Sequence, residues 1–122
     1  AKHERAQKVA EAVAIAKTRE PSLLIDGEMQ LDTAIAPEIA IRKVKRPSDV
    51  AGKANVLIFP NLDAANIGTK LLQRIAKAQS NGGVLQGFAK PVSDVSRGAS
   101  AENILRISVM LTRAIQSQKA AE

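Results

Sequence analysis

Asn55-Val56-Leu57-Ile58-Phe59-Pro60-Asn61 is the stretch on which the fold turns. Val56 to Phe59 is an unbroken apolar run with no polar alternation. Such a run reads as a strand covered on both faces, the kind found in parallel sheets flanked by helices. Pro60 closes it, and Asn61 is a favourable helix cap. Beyond it Leu62, Ala65, Leu72, Ile75 and Ala76 recur at helical spacing, predicting a helix to about Gln79.

Upstream, Ala6, Val9, Ala10, Val13 and Ala16 mark an amphipathic helix from about Lys2 to Arg19, stopped by Pro21. Ser22 to Ile25 reads as a short buried strand ending at Asp26-Gly27. Glu28 to Ala36 and Pro37 to Val44 read as two short helices, with Pro37 at the first helical position of the second. Lys43 to Ser48 is a basic loop. Downstream, Ser80-Asn81-Gly82-Gly83 is a stop and turn, Val84 to Phe88 a third strand, and Val92 part of a short fourth. Ser100 caps a final helix from Ala101 to about Lys119. Its apolar residues cover two sides: Ile104, Ile107, Leu111 and Ile115 on one, Leu105 and Val109 on another. The pattern predicts an α/β layered fold, a mainly parallel sheet flanked by helices. Three or four strands make a small sheet, so further strands are expected from chain outside these residues.

Composition narrows the chemistry. The chain has 122 residues, 45% of them apolar, which suits one ordered domain. There is no cysteine, which removes disulfide scaffolds, thiolate zinc sites and thiol nucleophiles. His3 is the only histidine, so a histidine metal cluster or a Ser-His-Asp triad has no material. The net charge of +6 favours phosphate-bearing partners. Nucleic acid is disfavoured among these, because Phe59 and Phe88 are the only aromatic residues and both lie in apolar runs. No apolar run reaches the ~20 residues that span a bilayer, and no signal-peptide pattern opens the chain. The expectation is no membrane and a cytoplasmic setting. The start at Ala1, already in helical periodicity, is read as a piece of something longer.

Four segments hold polar residues beyond what a plain loop needs. Asp26, Glu28 and Asp32 follow a predicted strand; they suit a metal or acid–base work, and equally a turn and the first turns of a helix. Asn61 to Lys70 follows the best strand, where open α/β sheets place ligands, and its helix start offers oriented amides to an anion. Gly82 to Pro91 lacks the spacing of a Walker or dinucleotide loop. In Asp94 to Asn103, Arg97 stands just before a helix start, a combination that suits a phosphate or an oxyanion.

Taken together these motifs resemble phosphate acetyltransferase (phosphotransacetylase). The resemblance rests on Ile25-Asp26-Gly27-Glu28-Met29-Gln30-Leu31-Asp32 with Pro37-Glu38, and on Gly52 to Pro60. It continues through Asn66-Ile67-Gly68 with Lys70, Leu85-Gln86-Gly87 with Lys90-Pro91-Val92, and Asp94-Val95-Ser96-Arg97-Gly98. It covers residues 1–122 as the C-terminal part of such an enzyme, with the N-terminal part absent. The resemblance implies part of an isocitrate/isopropylmalate dehydrogenase-like two-domain α/β fold, a homodimer, and a site in the cleft between domains. It also implies the interconversion of acetyl-CoA and phosphate with acetyl phosphate and CoA by direct transfer, with no metal and no cofactor beyond CoA as substrate.

By the same resemblance Ser96 hydrogen-bonds the CoA sulfur, Arg97 holds acetyl phosphate, and Asn66 and Lys70 contact substrate. The family's base is an Asp seven positions after that Ser; here the position is Asn103, whose amide accepts no proton at neutral pH. Glu102 is adjacent but points about 100° away on a helix. With half the cleft missing, the fragment alone is expected to be inactive. The alternative is a non-catalytic acyl-CoA-sensing region of the same fold, like that joined to some malic enzymes.

Overall fold

The computed structural model describes residues 3–119, which divide along the sequence, between Ile67 and Gly68, into two compact units. The first unit begins with α1, Glu4–Arg19, close to its expected bounds. His3 Nδ1 accepts the Arg5 N–H at 3.1 Å, so the sole histidine serves as an N-terminal cap. α1 lies over the Asp26-Gly27 corner: a Cβ on Gly27 would sit 3.2 Å from Val13 Cγ2 and 3.6 Å from Val9 Cγ1. Nearer the start of the helix, Lys8 Nζ donates to the Pro60 carbonyl at 3.1 Å.

α2 (Leu31–Ile35) and α3 (Pro37–Lys43) form a tight corner, with Pro37 opening α3 as its missing N–H allows. Thr33 and Ala40 are buried here. The loop after α3 is stitched back onto α2, since Gly52 N–H donates to Thr33 O at 2.9 Å and Ala54 N–H to Ala34 O at 3.0 Å. Gly52 reaches this position with φ of +77°, where a Cβ would lie 2.7 Å from Pro37 Cα.

α4, Leu62–Arg74, starts under Asn61, whose Oδ1 accepts the Ala64 N–H at 2.9 Å. It stops five residues short of the expected Gln79. Lys77 turns into the left-handed region at φ 55°, and the Ala78 N–H returns to Leu72 O at 3.0 Å.

In the second unit β1 (Gly83–Leu85) and β2 (Val92–Asp94) pair antiparallel, with Gly83 opposite Asp94, Val84 opposite Ser93 and Leu85 opposite Val92. The third expected strand ends before Phe88 because Gly87 adopts φ of +89°. α5, Ala101–Lys119, packs on β2 and buries Ile107, which closes against Gly82.

The mainly parallel sheet is corrected by this architecture. The ladder among the described residues is a single antiparallel pair. Ser22–Ile25 and Asn55–Phe59, both expected to be strands, have no strand partner there. A strand is defined by its neighbour, and an apolar run without one has no ladder to join. No helix among the described residues is long and apolar enough to cross a membrane.

Candidate active-site loop and its setting

The Asp94 to Asn103 segment leaves β2, turns, and enters α5. The turn is tied by Ala99 N–H donating to Ser96 O at 2.9 Å. Ser100 then caps α5 as expected: its Oγ accepts the Asn103 N–H at 3.2 Å and its carbonyl the Ile104 N–H at 3.1 Å. Such a cap is worth ~1 kcal/mol and fixes where the helix starts. The direction of the Ser96-Arg97-Gly98 turn is thus set from both sides, by β2 before it and the cap after it.

Ser96, Arg97 and Gly98 are exposed, and the Arg97 guanidinium has no hydrogen bond or ion pair among the described residues. An unpaired guanidinium before a helix N-terminus is suited to a phosphate or thiolate. The second unit as a whole is basic, with eight Lys and Arg against three Asp and Glu from residue 68 onward. That imbalance carries most of the chain's net charge and lies where anion chemistry is expected.

Asn103 sits half-buried on the first turn of α5. Its neighbour Glu102 does not replace it as a base, because Arg106 takes the Glu102 carboxylate in a 2.5 Å ion pair. Arg106 also donates to Gln79 Oε1, linking α5 to the end of the segment after α4. Asn66 and Lys70, one helical turn apart on α4, are both exposed. Asn66 is engaged in further contacts.

The acidic segment takes the structural reading. Asp26 is gripped by Arg46, with Nη2 at 2.6 Å from Oδ1 and Nη1 at 2.8 Å from Oδ2. Ser48 Oγ donates to Oδ2 at 2.6 Å and Gly27 N–H to Oδ1 at 2.8 Å. Burial pushes this carboxyl up, but the Arg46, Ser48 and Gly27 hydrogen bonds outweigh it and hold Asp26 at about 2. Asp32 pairs with Lys43 at 2.9 Å, and that hydrogen bond lowers its pKa. Glu28 is engaged as well. No group of three His, Asp or Glu among the described residues could hold a metal ion. Sequence reasoning puts Asp26 at a turn and Arg46 in a basic loop without joining them. The signal available is an acid at an expected strand end with an unmatched Arg-Pro-Ser loop downstream.

With this geometry in place, comparison with known proteins decides the family. The sequence profile described as Phosphate acetyl/butaryl transferase matches residues 1–112. The chain belongs to that family. It is 54% identical over 118 residues to a phosphate acetyltransferase from Acetivibrio thermocellus, covering 97% of this chain and 35% of that one. The crystal structure of a phosphotransacetylase from Streptococcus pyogenes superposes on 95% of the chain, with a TM-score of 0.86 and 44% identity. The EutD phosphotransacetylase from Staphylococcus aureus does so over 88%, with a TM-score of 0.79 and 44% identity. The fold is therefore the α/β phosphotransacetylase-like one, with helices and a small sheet. This family member spans about a third of the length of these relatives.

Proposed function

We propose that the chain is the loop-bearing C-terminal third of a phosphate acetyltransferase, and that it contributes one wall of the site where acetyl phosphate and CoA meet. The observation that carries this is the Ser96-Arg97-Gly98 turn, held open to solvent between β2 and the Ser100-capped helix, with Arg97 unpaired among the described residues. In this reading Arg97 binds the phosphate of acetyl phosphate and Ser96 donates to the CoA sulfur. Lys70 and Asn66 add contacts from α4. The reaction moves one acetyl group: the thiol releases its proton to solvent, the thiolate attacks the acetyl carbon, a C–S bond forms, and the C–O bond breaks as phosphate leaves with its electron pair.

The rest of the reading is consistent with a two-domain, dimeric, cytoplasmic enzyme that uses no cofactor beyond its CoA substrate and meets neither nucleic acid nor membrane. The remaining walls of the site come from the two thirds of the relatives' length that this chain does not span. The test is acetyl transfer from acetyl phosphate to CoA, monitored by thioester absorbance. The chain by itself is expected to give none. Joined with the complementary part of the Acetivibrio thermocellus enzyme it is expected to turn over, and Arg97→Ala should abolish that turnover. A well-folded complex that binds acetyl-CoA but never transfers the acetyl group would favour the alternative, an acyl-CoA-sensing region, which Asn103 at the base position also supports.

A further inference from the structure

We infer that Asn81-Gly82 is a self-modifying site, where Asn81 deamidates through a cyclic imide to aspartate and isoaspartate, and that the isoaspartate product unseats α5. The inference is independent of the catalytic reading, and its only co-reactant is water. The Gly82 nitrogen attacks the side-chain carbonyl carbon of Asn81 and a C–N bond forms. The bond from that carbon to Nδ2 breaks, and ammonia leaves with the Gly82 proton. Water then opens the imide. Cleavage at the side-chain carbonyl leaves aspartate; cleavage at the main-chain carbonyl leaves isoaspartate, with one extra methylene in the main chain.

The chain has five asparagines, and Val56, Leu62, Ile67 and Ile104 follow the other four. A bulky follower obstructs ring closure, whereas glycine has no Cβ to stand in the way. Asn66 and Asn103 are further held in α4 and α5, and Asn61 is spent as a cap. Asn81 is exposed in irregular chain between α4 and β1. Neither its side chain nor the Gly82 N–H has a hydrogen-bond partner among the described residues, so electrophile and nucleophile are both free. The other dipeptide prone to this ring closure, Asp26-Gly27, is shut. Arg46 and Ser48 hold the Asp26 carboxylate, and the Gly27 N–H is already donated to Oδ1 at 2.8 Å. A carboxylate kept ionised in this way is a poor electrophile.

The fold itself keeps glycine at position 82. Gly82 has φ of +65°, and a Cβ there would lie 2.5 Å from Cδ1 of the buried Ile107. The packing that seats α5 therefore also preserves the labile pair. The two products act differently on this seat. Aspartate leaves the main chain intact and sets a carboxylate in the open groove that Asn81 lines with Arg106 and Arg113. Isoaspartate lengthens the main chain immediately before Gly82 and draws it off Ile107.

The test is incubation of the chain at mildly alkaline pH, then peptide mapping by electron-transfer mass spectrometry, which tells aspartate from isoaspartate. Asn81 should convert at least about tenfold faster than any other asparagine, because only it precedes glycine. Its rate should lie within about threefold of that in the urea-unfolded chain, since the fold leaves it open. Each event lowers the net charge of +6 by one, so a more acidic species should accumulate on ion exchange and be missing from Asn81→Gln. Amide exchange over residues 104–110 should accelerate at least about tenfold in the isoaspartate form and stay unchanged in Asn81→Asp. Conversion at the pace of the other asparagines, protection by folding of more than about tenfold, or comparable isoaspartate at Asp26 would overturn the inference. So would an acidic species that survives Asn81→Gln, or an isoaspartate form whose α5 exchanges like the natural chain.

Discussion

Arg46 clasps Asp26 across twenty positions of sequence, both terminal nitrogens engaged, while Ser48 occupies one carboxylate oxygen from the other side. Ser48 Oγ in turn accepts from Val50 N–H at 3.3 Å and Ala51 N–H at 3.0 Å, so the loop leading to Gly52 is organised by the same carboxylate. The Asp26 side chain is only 6% exposed. A carboxylate this enclosed is tolerable only because its oxygens are so fully engaged. The pair therefore fixes the loop before Asn55 to the corner after Ile25.

The first prediction concerns the titration of this pair. The folded pKa of about 2 is below the ordinary ~3.9, so the clamp's contribution is complete above pH ~4 and disappears as pH falls through about 2. The difference corresponds to roughly 2.5 kcal/mol. NMR of the Asp26 carboxyl carbon should show a midpoint near 2, and Asp26→Asn should remove that part of the acid sensitivity. A midpoint at the ordinary value would mean that the clamp is open in solution.

Gly52 gives the second. It combines φ of +77° with a backbone contact that leaves no room for a Cβ, 2.7 Å from Pro37 Cα. Gly52→Ala must shift the loop and break the Gly52 to Thr33 bond, costing about 1–3 kcal/mol. Amide exchange at Gly52 and Ala54 should accelerate by one to two orders of magnitude. The Asp26–Arg46 clamp is a second tie on the same loop, so exchange in the residues before Gly52 should change less.

Local signals were legible wherever the cause was local. Asn61 and Ser100 cap the helices assigned to them, and Pro37 opens α3, because each acts through backbone groups a few residues away. What could not be read depends on distant partners or on a turn that no glycine marks. Asn55–Phe59 has strand composition without a ladder among the described residues, since apolar composition does not by itself name a pairing partner. The early end of α4 comes with a left-handed Lys77, where no glycine announces the turn. The Asp26–Arg46 pair is invisible for a related reason: ion pairing across a fold leaves no periodicity. Of the site, Ser96, Arg97 and Asn103 fall together on one turn and one helix start, as their spacing suggested. Asn66 and Lys70 share a separate helix.

The third prediction tests Arg97 as an anion holder. CoA binding to the chain alone should be weak and should fade as salt rises, since exposed charge attraction is screened beyond ~8–10 Å at physiological ionic strength. In the complete complex Arg97→Lys should raise KM for acetyl phosphate at least about tenfold, because a point charge cannot reproduce a planar bidentate contact. Isothermal titration at low and high salt, together with steady-state kinetics of the variant, covers both halves. Tight binding to the chain alone, unmoved by salt, would show that a full pocket already exists and that Arg97 is not its main anchor.

The fourth prediction is that Asn103→Asp raises the transfer rate of the complete complex. Asn103 is held on the first turn of α5 by its own N–H to Ser100, half-buried and seven positions after Ser96, so its side-chain origin is fixed. Its amide has no proton-accepting role at neutral pH, and Glu102 is occupied by Arg106. With an amide in place, the thiol must ionise unaided, and CoA's small thiolate fraction near neutrality limits the rate. A positioned carboxylate typically contributes 10²- to 10⁴-fold, equivalent to ~3–5 kcal/mol of barrier. The pH dependence separates this from a packing effect. The natural form should gain rate continuously from about pH 6 to 9 as thiolate accumulates, whereas Asn103→Asp should level off earlier, once its carboxylate is ionised. Asn103→Ala, which removes the amide and supplies no base, should keep the rising profile of the natural form. If the natural complex already turns over at full speed with a flat profile, the proton leaves through another group, and Asn103 is simply the third residue of a well-capped helix.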